Sequence, residues 1–145
     1  MAHGEVIIEG NAGFVALASA PDHFDALHLL GVALHQQGRD EAAVASIRRA
    51  LDINAADPSA HSNLALALRD LGRLDEALAS VDRALAIRAD HVPALNNRGN
   101  VLLGIGAVRE AMKDFDRALL LAPGYAAAFS NRAGAHLKLG QLELA

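Results

Sequence analysis

The sequence predicts an all-α solenoid of antiparallel helix pairs, and three observations carry that prediction. A glycine recurs at 38, 72, 106 and 140, a constant step of 34 residues. Small residues keep the same register: Ala43, Ala77, Ala111 and Ala145 after the glycines, then Ala50, Ala84 and Ala118, and before them Gly31, Ala65, Gly99 and Ala133. Composition agrees, because 52% of residues are hydrophobic but only 3% are aromatic. A core of Ala, Leu, Val and Ile suits close-packed helices better than a sheet.

Residues 1–23 are the least regular stretch. One step back in register places Ala16 in the Ala50 column and Pro21 in the Pro123 column, so this segment reads as a degenerate half-repeat or N-terminal cap. Gly10 and Gly13 weaken any helix there, each costing about 1 kcal/mol in a helix interior.

The first unit, 24–57, opens with a helix over 25–37 carrying Leu27, Leu30 and Leu34 on one face, the spacing of an amphipathic helix. Gly38 ends it, as a residue free to take positive φ does. A second helix runs from Glu41 to Ile53, with Ala43, Ile47, Ala50 and Leu51 on its stripe. The acid at its start and Arg48-Arg49 toward its end are expected to complement the helix dipole. Asp57-Pro58 starts the next unit, proline suiting a first helical turn. Unit two, 58–91, repeats the plan with Leu64, Leu68 and Leu71, then Ala77, Val81, Ala84 and Leu85. Unit three, 92–125, holds Leu95, Leu102 and Ile105, then Ala111, Phe115, Ala118 and Leu119. Unit four, 126–145, is read as an incomplete repeat: a first helix with Phe129, Leu137 and Leu139, and a turn at Gly140.

A 34-residue helix–turn–helix unit with these columns resembles the tetratricopeptide repeat (TPR) family over residues 24–145. The resemblance implies a right-handed superhelix whose concave surface is lined mainly by the first helix of each pair. Three departures stand out. The large-residue slot near the start of each first helix holds Leu27, His61, Leu95 and Phe129. Asp40 stands where Leu74, Val108 and Leu142 suggest an apolar residue. Ala55 and Ala89 occupy the position of Pro123.

Catalytic constellations are missing from the pattern. Gly99, Gly104 and Gly106 lack the Lys-Ser/Thr of a phosphate loop. Ser46, Ser62, Ser80 and Ser130 have no visible His–Asp partner. His28 and His35 stand seven apart on one helix, with Val32 and Arg39 at the i+4 positions, so no chelating pair forms along it. No enzyme activity, metal or cofactor is therefore expected. Without cysteine there is no disulfide and no thiolate site. A net charge of −4 with interspersed signs argues against a nucleic-acid footprint. No secretory leader or membrane-length apolar run is seen, and a cytoplasmic location is expected.

The most informative polar feature is a column nine residues before the turn glycines: Asn63, Asn97 and Asn131, with Leu29 in unit one and Asn96 and Asn100 beside it. Amides aligned along a groove can bond the backbone of an extended peptide, or they can bond neighbouring helices within the array. The column resembles the asparagine ladder in the superhelix of O-linked N-acetylglucosamine transferases. Arg49, Arg83 and Arg117 recur toward the ends of second helices, while Arg98 and Arg132 replace Leu30 and Leu64. The basic positions of the chaperone-tail clamp known in this family are not met, since His28 and Pro93 fill two of them.

The leading functional expectation is a protein-interaction scaffold that receives a peptide or partner helix in its concave groove. Its candidate contacts are Asn63, Asn97, Asn100 and Asn131, helped by His28, His35, Arg69 and Lys138. A second reading makes the chain the substrate-recruiting portion of a larger enzyme such as a glycosyltransferase. A third makes it a self-assembling scaffold through Phe129, Leu137, Leu139, Leu142 and Leu144 at its C-terminal end.

Overall fold

The computed structural model describes residues 23–144, and all its regular structure there is helical. The helices are α1 (Phe24–Gln36), α2 (Asp40–Ile53), α3 (Pro58–Asp70), α4 (Leu74–Ile87), α5 (Val92–Ile105), α6 (Val108–Leu121) and α7 (Ala126–Leu144). They pack pairwise, α1 on α2, α3 on α4 and α5 on α6, with α7 against α6. The half-repeat read around Ala16 and Pro21, and the column residue Ala145, lie outside the described residues.

Each hairpin turn is closed in the same way. Gly38, Gly72 and Gly106 take φ of 77°, 79° and 95°, a region that costs a residue with Cβ. The next amide then reaches back into the last turn: Arg39 to Leu34, Arg73 to Leu68 and Ala107 to Leu102, each at 2.9 Å. That bond satisfies carbonyls the helix leaves open. At the other end, Asp57 caps α3 by accepting from the Ala60 amide at 2.9 Å. Position 91 caps α5 with a histidine instead, whose Nδ1 accepts from the Ala94 amide at 3.2 Å.

Small residues mark the crossings. Ala43, Ala77 and Ala111, and Ala50, Ala84 and Ala118, are fully buried. A Cβ added at Gly31 would run into the Ile47 side chain and come to 3.3 Å from the Ala43 carbonyl. At Gly99 it would run into the Phe115 ring. A second link is polar: Ser46 and Ser80 donate their hydroxyls to the Leu27 and His61 carbonyls at 2.7 and 2.8 Å. In unit three the equivalent residue is Asp114, which cannot donate that bond. It takes the guanidinium of Arg98 in two 2.8 Å bonds, and Arg98 also reaches Asp82 at 3.2 Å. These bonds hold the Arg98 guanidinium ionised, its pKa raised above the ordinary value. Arg132 likewise turns to Asp116 at 3.1 Å and lies 5.6 Å over the Phe129 ring.

Curvature follows from which helices touch. Successive first helices meet, α1 with α3, α3 with α5 and α5 with α7, whereas α2, α4 and α6 make no backbone contact with one another. Ion pairs reach across that outer side, such as Arg48–Glu76 at 3.3 Å and Arg73–Glu41 at 3.1 Å. An array tight on one side and splayed on the other is concave on the tight side. The first helices therefore line the inner surface.

Two expectations fail. The turn at Gly140 is not made: α7 runs through it to Leu144, and its φ is not positive. In the earlier units the reversal is held by a second helix packing back on the first, and the four described residues after Gly140 form no such helix. Helical hydrogen bonding continues instead. Nor do Arg49, Arg83 and Arg117 sit at the dipole ends, because α2, α4 and α6 have no basic residue in their last turn. The dipole's reach fades beyond that turn, so these side chains are simply exposed.

The glycines therefore separate by experiment. Gly72→Ala forces a strained φ and is expected to lose about 1 kcal/mol. Gly140→Ala and Gly134→Ala have nothing within 4 Å of the new methyl and are expected to gain about 0.5–1 kcal/mol in urea unfolding. Gly99→Ala should lose about 1–3 kcal/mol by overpacking on Phe115. A loss at Gly140 as large as that at Gly72 would contradict the continuous α7.

Candidate functional site: the concave strip of first helices

The asparagine column is a set of rungs between consecutive first helices. Asn63 Nδ2 donates to His28 Nε2 at 2.9 Å. Asn97 Nδ2 donates to the Ser62 hydroxyl at 2.7 Å, with a longer contact to the Ser62 carbonyl at 3.4 Å. Asn131 Nδ2 donates to Asn96 Oδ1 at 2.9 Å. Each rung spans 35 residues, one repeat plus one, so a single position bonds its predecessor at every junction. At Asn63 and Asn131 the rung takes one of the two N–H groups of the side-chain amide, so the column is partly committed within the array.

Their exposure ranks them. Asn97 and Asn96 are only 7% and 5% exposed, so both belong to the scaffold. Asn63 and Asn131 are half-buried, and no donor among the described residues reaches their Oδ1 atoms. Asn100 is half-buried on the face of α5 turned away from α6. None of the hydrogen bonds among the described residues uses its side chain. Its neighbours in register are Val32 and Leu66, both half-buried, which give the strip an apolar floor toward unit one.

The remaining candidates fall into two places. His28 lies in the strip as the acceptor for Asn63. Its pKa is lowered, chiefly by burial, against the opposing pull of Asp57 and Asp25. His35 and Arg69 lie at the turn-side ends of α1 and α3. His35 Nδ1 donates to Asp40 at 2.6 Å and its Nε2 lies 3.7 Å from Asp70 Oδ2. Arg69 holds Asp70 Oδ1 through Nε at 3.1 Å and a terminal nitrogen at 3.0 Å. Lys138 stands exposed on α7. The cluster of His35, Asp40 and Asp70 was not visible from spacing along one helix. Asp40 was its one sequence signal, a carboxylate in a column that is Leu or Val elsewhere.

These features can be set beside known proteins. A family model described as "Tetratricopeptide repeat" matches residues 57–122 and one described as "TPR repeat" matches 31–69. The chain is a tetratricopeptide repeat protein. Among solved structures, the first TPR domain of human RPAP3 superposes with a TM-score of 0.80 at 23% identity, over 87% of this chain and 99% of that one. The Sgt2 TPR domain from Aspergillus fumigatus gives 0.78 at 18%, over 84% and 82%. The first TPR of Spaghetti (RPAP3) bound to the HSP90 peptide SRMEEVD gives 0.74 at 23%, over 81% and 93%. At these identities the likeness to this TPR array is one of fold. A search of curated protein sequences returned no match. Among the described residues, no helix is long and apolar enough to cross a membrane.

Two histidines are expected to make the stability of the TPR stack depend on pH. His91 is buried, and its Nδ1 can cap α5 only without a proton there; its Nε2 faces Ser59 Oγ at 3.3 Å. Burial first, then the charge of Arg88, lowers its pKa, while Asp57 and Asp90 oppose the shift. His28 is shifted the same way. For both, the unfolded chain binds the proton more readily than the fold does. The stabilisation is then complete above the ordinary value of 6.5 and is lost as pH falls through the lowered folded values. Urea midpoints at a series of pH values from 8 to 5 should fall below about pH 6.5. His91→Asp, which copies the cap at Asp57, should flatten part of that fall. An identical profile for wild type and variant would remove His91 from the account.

Proposed function

We propose that this TPR array is a non-enzymatic interaction module whose concave strip receives an extended peptide or a partner helix. The observation that carries the reading is the strip itself: adjacent first helices, an apolar floor at Val32 and Leu66, and an uncommitted amide at Asn100 beside the acceptor oxygens of Asn63 and Asn131. Acceptors in a row suit the N–H groups of an extended backbone, while Asn100 can both accept and donate. Peptide binding occurs elsewhere on this fold: the first TPR of Spaghetti (RPAP3) is bound to the HSP90 peptide SRMEEVD.

The same geometry disfavours an acidic chaperone tail as ligand here. His28 is biased toward its neutral form, Pro93 carries no charge, and the Arg69 guanidinium is held by Asp70. A neutral or weakly basic segment fits this surface better. Once such a ligand is isolated from a peptide library, Asn100→Ala is expected to weaken binding about tenfold, the scale of about 1.4 kcal/mol for hydrogen bonds lost in a partly dry groove. Its melting temperature should not change. Asn97→Ala should do the reverse, losing about 1–3 kcal/mol of stability by stranding buried Ser62. Full affinity in Asn63→Ala, Asn100→Ala and Asn131→Ala together would remove the strip as the binding site.

A second reading, self-assembly, is favoured by α7. Its residues Phe129, Leu137, Leu142 and Leu144 are 60%, 71%, 60% and 90% exposed, whereas Leu95, which holds the position of Phe129 one unit earlier, is 1% exposed. Light scattering over a concentration series distinguishes the two: a growing mass abolished by Leu137→Glu supports assembly, and a constant monomer mass excludes it.

A further inference from the structure

The cluster at the first inter-repeat junction has an arrangement that its hydrogen bonds leave unresolved. His35 comes from the last turn of α1, Asp40 from the first residue of α2 and Asp70 from the last residue of α3. One donor atom from each lies within 4.8 Å of the others. Asp40 Oδ1 sits 2.6 Å from His35 Nδ1, so a neutral imidazole carries its proton there and presents the Nε2 lone pair on its far side. That lone pair points at Asp70 Oδ2 across 3.7 Å. Two electron-rich atoms face each other over a gap too long for a hydrogen bond. Arg69 grips the other Asp70 oxygen from its own side, which fixes the direction of Oδ2. The C-terminal ends of α1 and α3 also converge here, and both carry partial negative charge.

We propose that His35 Nε2 and Asp70 Oδ2 are ligands of a divalent transition-metal ion of the zinc class. Bonds of about 2.0–2.2 Å from an imidazole nitrogen and a carboxylate oxygen fit a gap of this size. Asp40 is then the outer partner that sets the tautomer and strengthens the imidazole, the carboxylate–histidine–metal relay found around such ions. A mixed nitrogen and oxygen set selects zinc, cobalt or nickel over magnesium and calcium, which prefer oxygen alone. Remaining coordination positions stay open to water or to a ligand's own donor group. The site pins α1, through α2's first residue, to α3, and so stiffens the junction that unit one shares with unit two.

Zinc titrated alone into the full chain, followed by calorimetry, tests this. Wild type is expected to show a site that is absent in His35→Gln and at least tenfold weaker in Asp70→Asn. Asp40→Ala is expected to weaken it about 10–100-fold. His136→Gln, altering an exposed histidine on α7, should match wild type. Cobalt bound at the site should give visible absorption that His35→Gln lacks, a readout independent of the heat signal. The proposal is overturned if wild type binds no zinc at millimolar concentration. It is equally overturned if wild-type and Asp70→Asn isotherms superimpose, which places any bound zinc at another histidine.

Discussion

The close crossing of a first helix over its second is the constraint on which the rest of this protein depends. At Gly31 and Gly99 there is no room for even a methyl group, because Ile47 and Phe115 fill the space it would need. There the large residues of the second helix can lie flat on the first. Burial of such groups is the main favourable term for a chain with almost no aromatic residues, since each fully buried Ile or Phe contributes about 1.5–3 kcal/mol. The crossing also sets the direction of each hairpin, and with it the direction in which the next unit stacks. Without that approach the outer helices could not splay while the inner ones touch.

Polar residues then do two different tasks in the same columns. Ser46 and Ser80 fasten helices within a unit, and Asn63, Asn97 and Asn131 fasten one unit to the next. Unit three exchanges the Leu and Ser of earlier units for Arg98 and Asp114, a two-pronged ion pair with Asp114 buried. Removing Arg98 would leave the buried Asp114 charge unpaired, whereas Arg98 keeps a second partner in Asp82. Unit one makes a comparable exchange at Asp40, and there the partner is His35 rather than an arginine. In both places a polar residue in the column is matched by another across the helix interface, Asp114 with Arg98 and Asp40 with His35.

Asymmetry along the array follows from the same logic. Position 129 holds an aromatic ring that is 60% exposed, where position 95 holds a leucine at 1%. Within the described residues the difference is α6, which covers α5. Along the inner strip the units also differ: Val32 and Leu66 give way to Asn100 at the same register. Any ligand lying across all the first helices meets an apolar end and an amide end, which orients it.

By itself the sequence determined the all-α hairpin array, the turn positions at Gly38, Gly72 and Gly106, and the small columns. These are set by local rules: helical periodicity, the φ that glycine alone accepts cheaply, and volumes that must be small wherever helices cross. The asparagines were legible as a column, but their direction was not, since an amide on an inner helix can serve a ligand or the preceding repeat equally well. Only the packed structure showed the rungs to His28, Ser62 and Asn96, and left the Asn100 amide without a hydrogen bond among the described residues. It also carried α7 through Gly140, because a glycine permits a turn while a returning helix enforces it. The meeting of His35, Asp40 and Asp70 was likewise a tertiary decision: their separations of five and 30 residues acquire meaning only when three helix ends converge on one point.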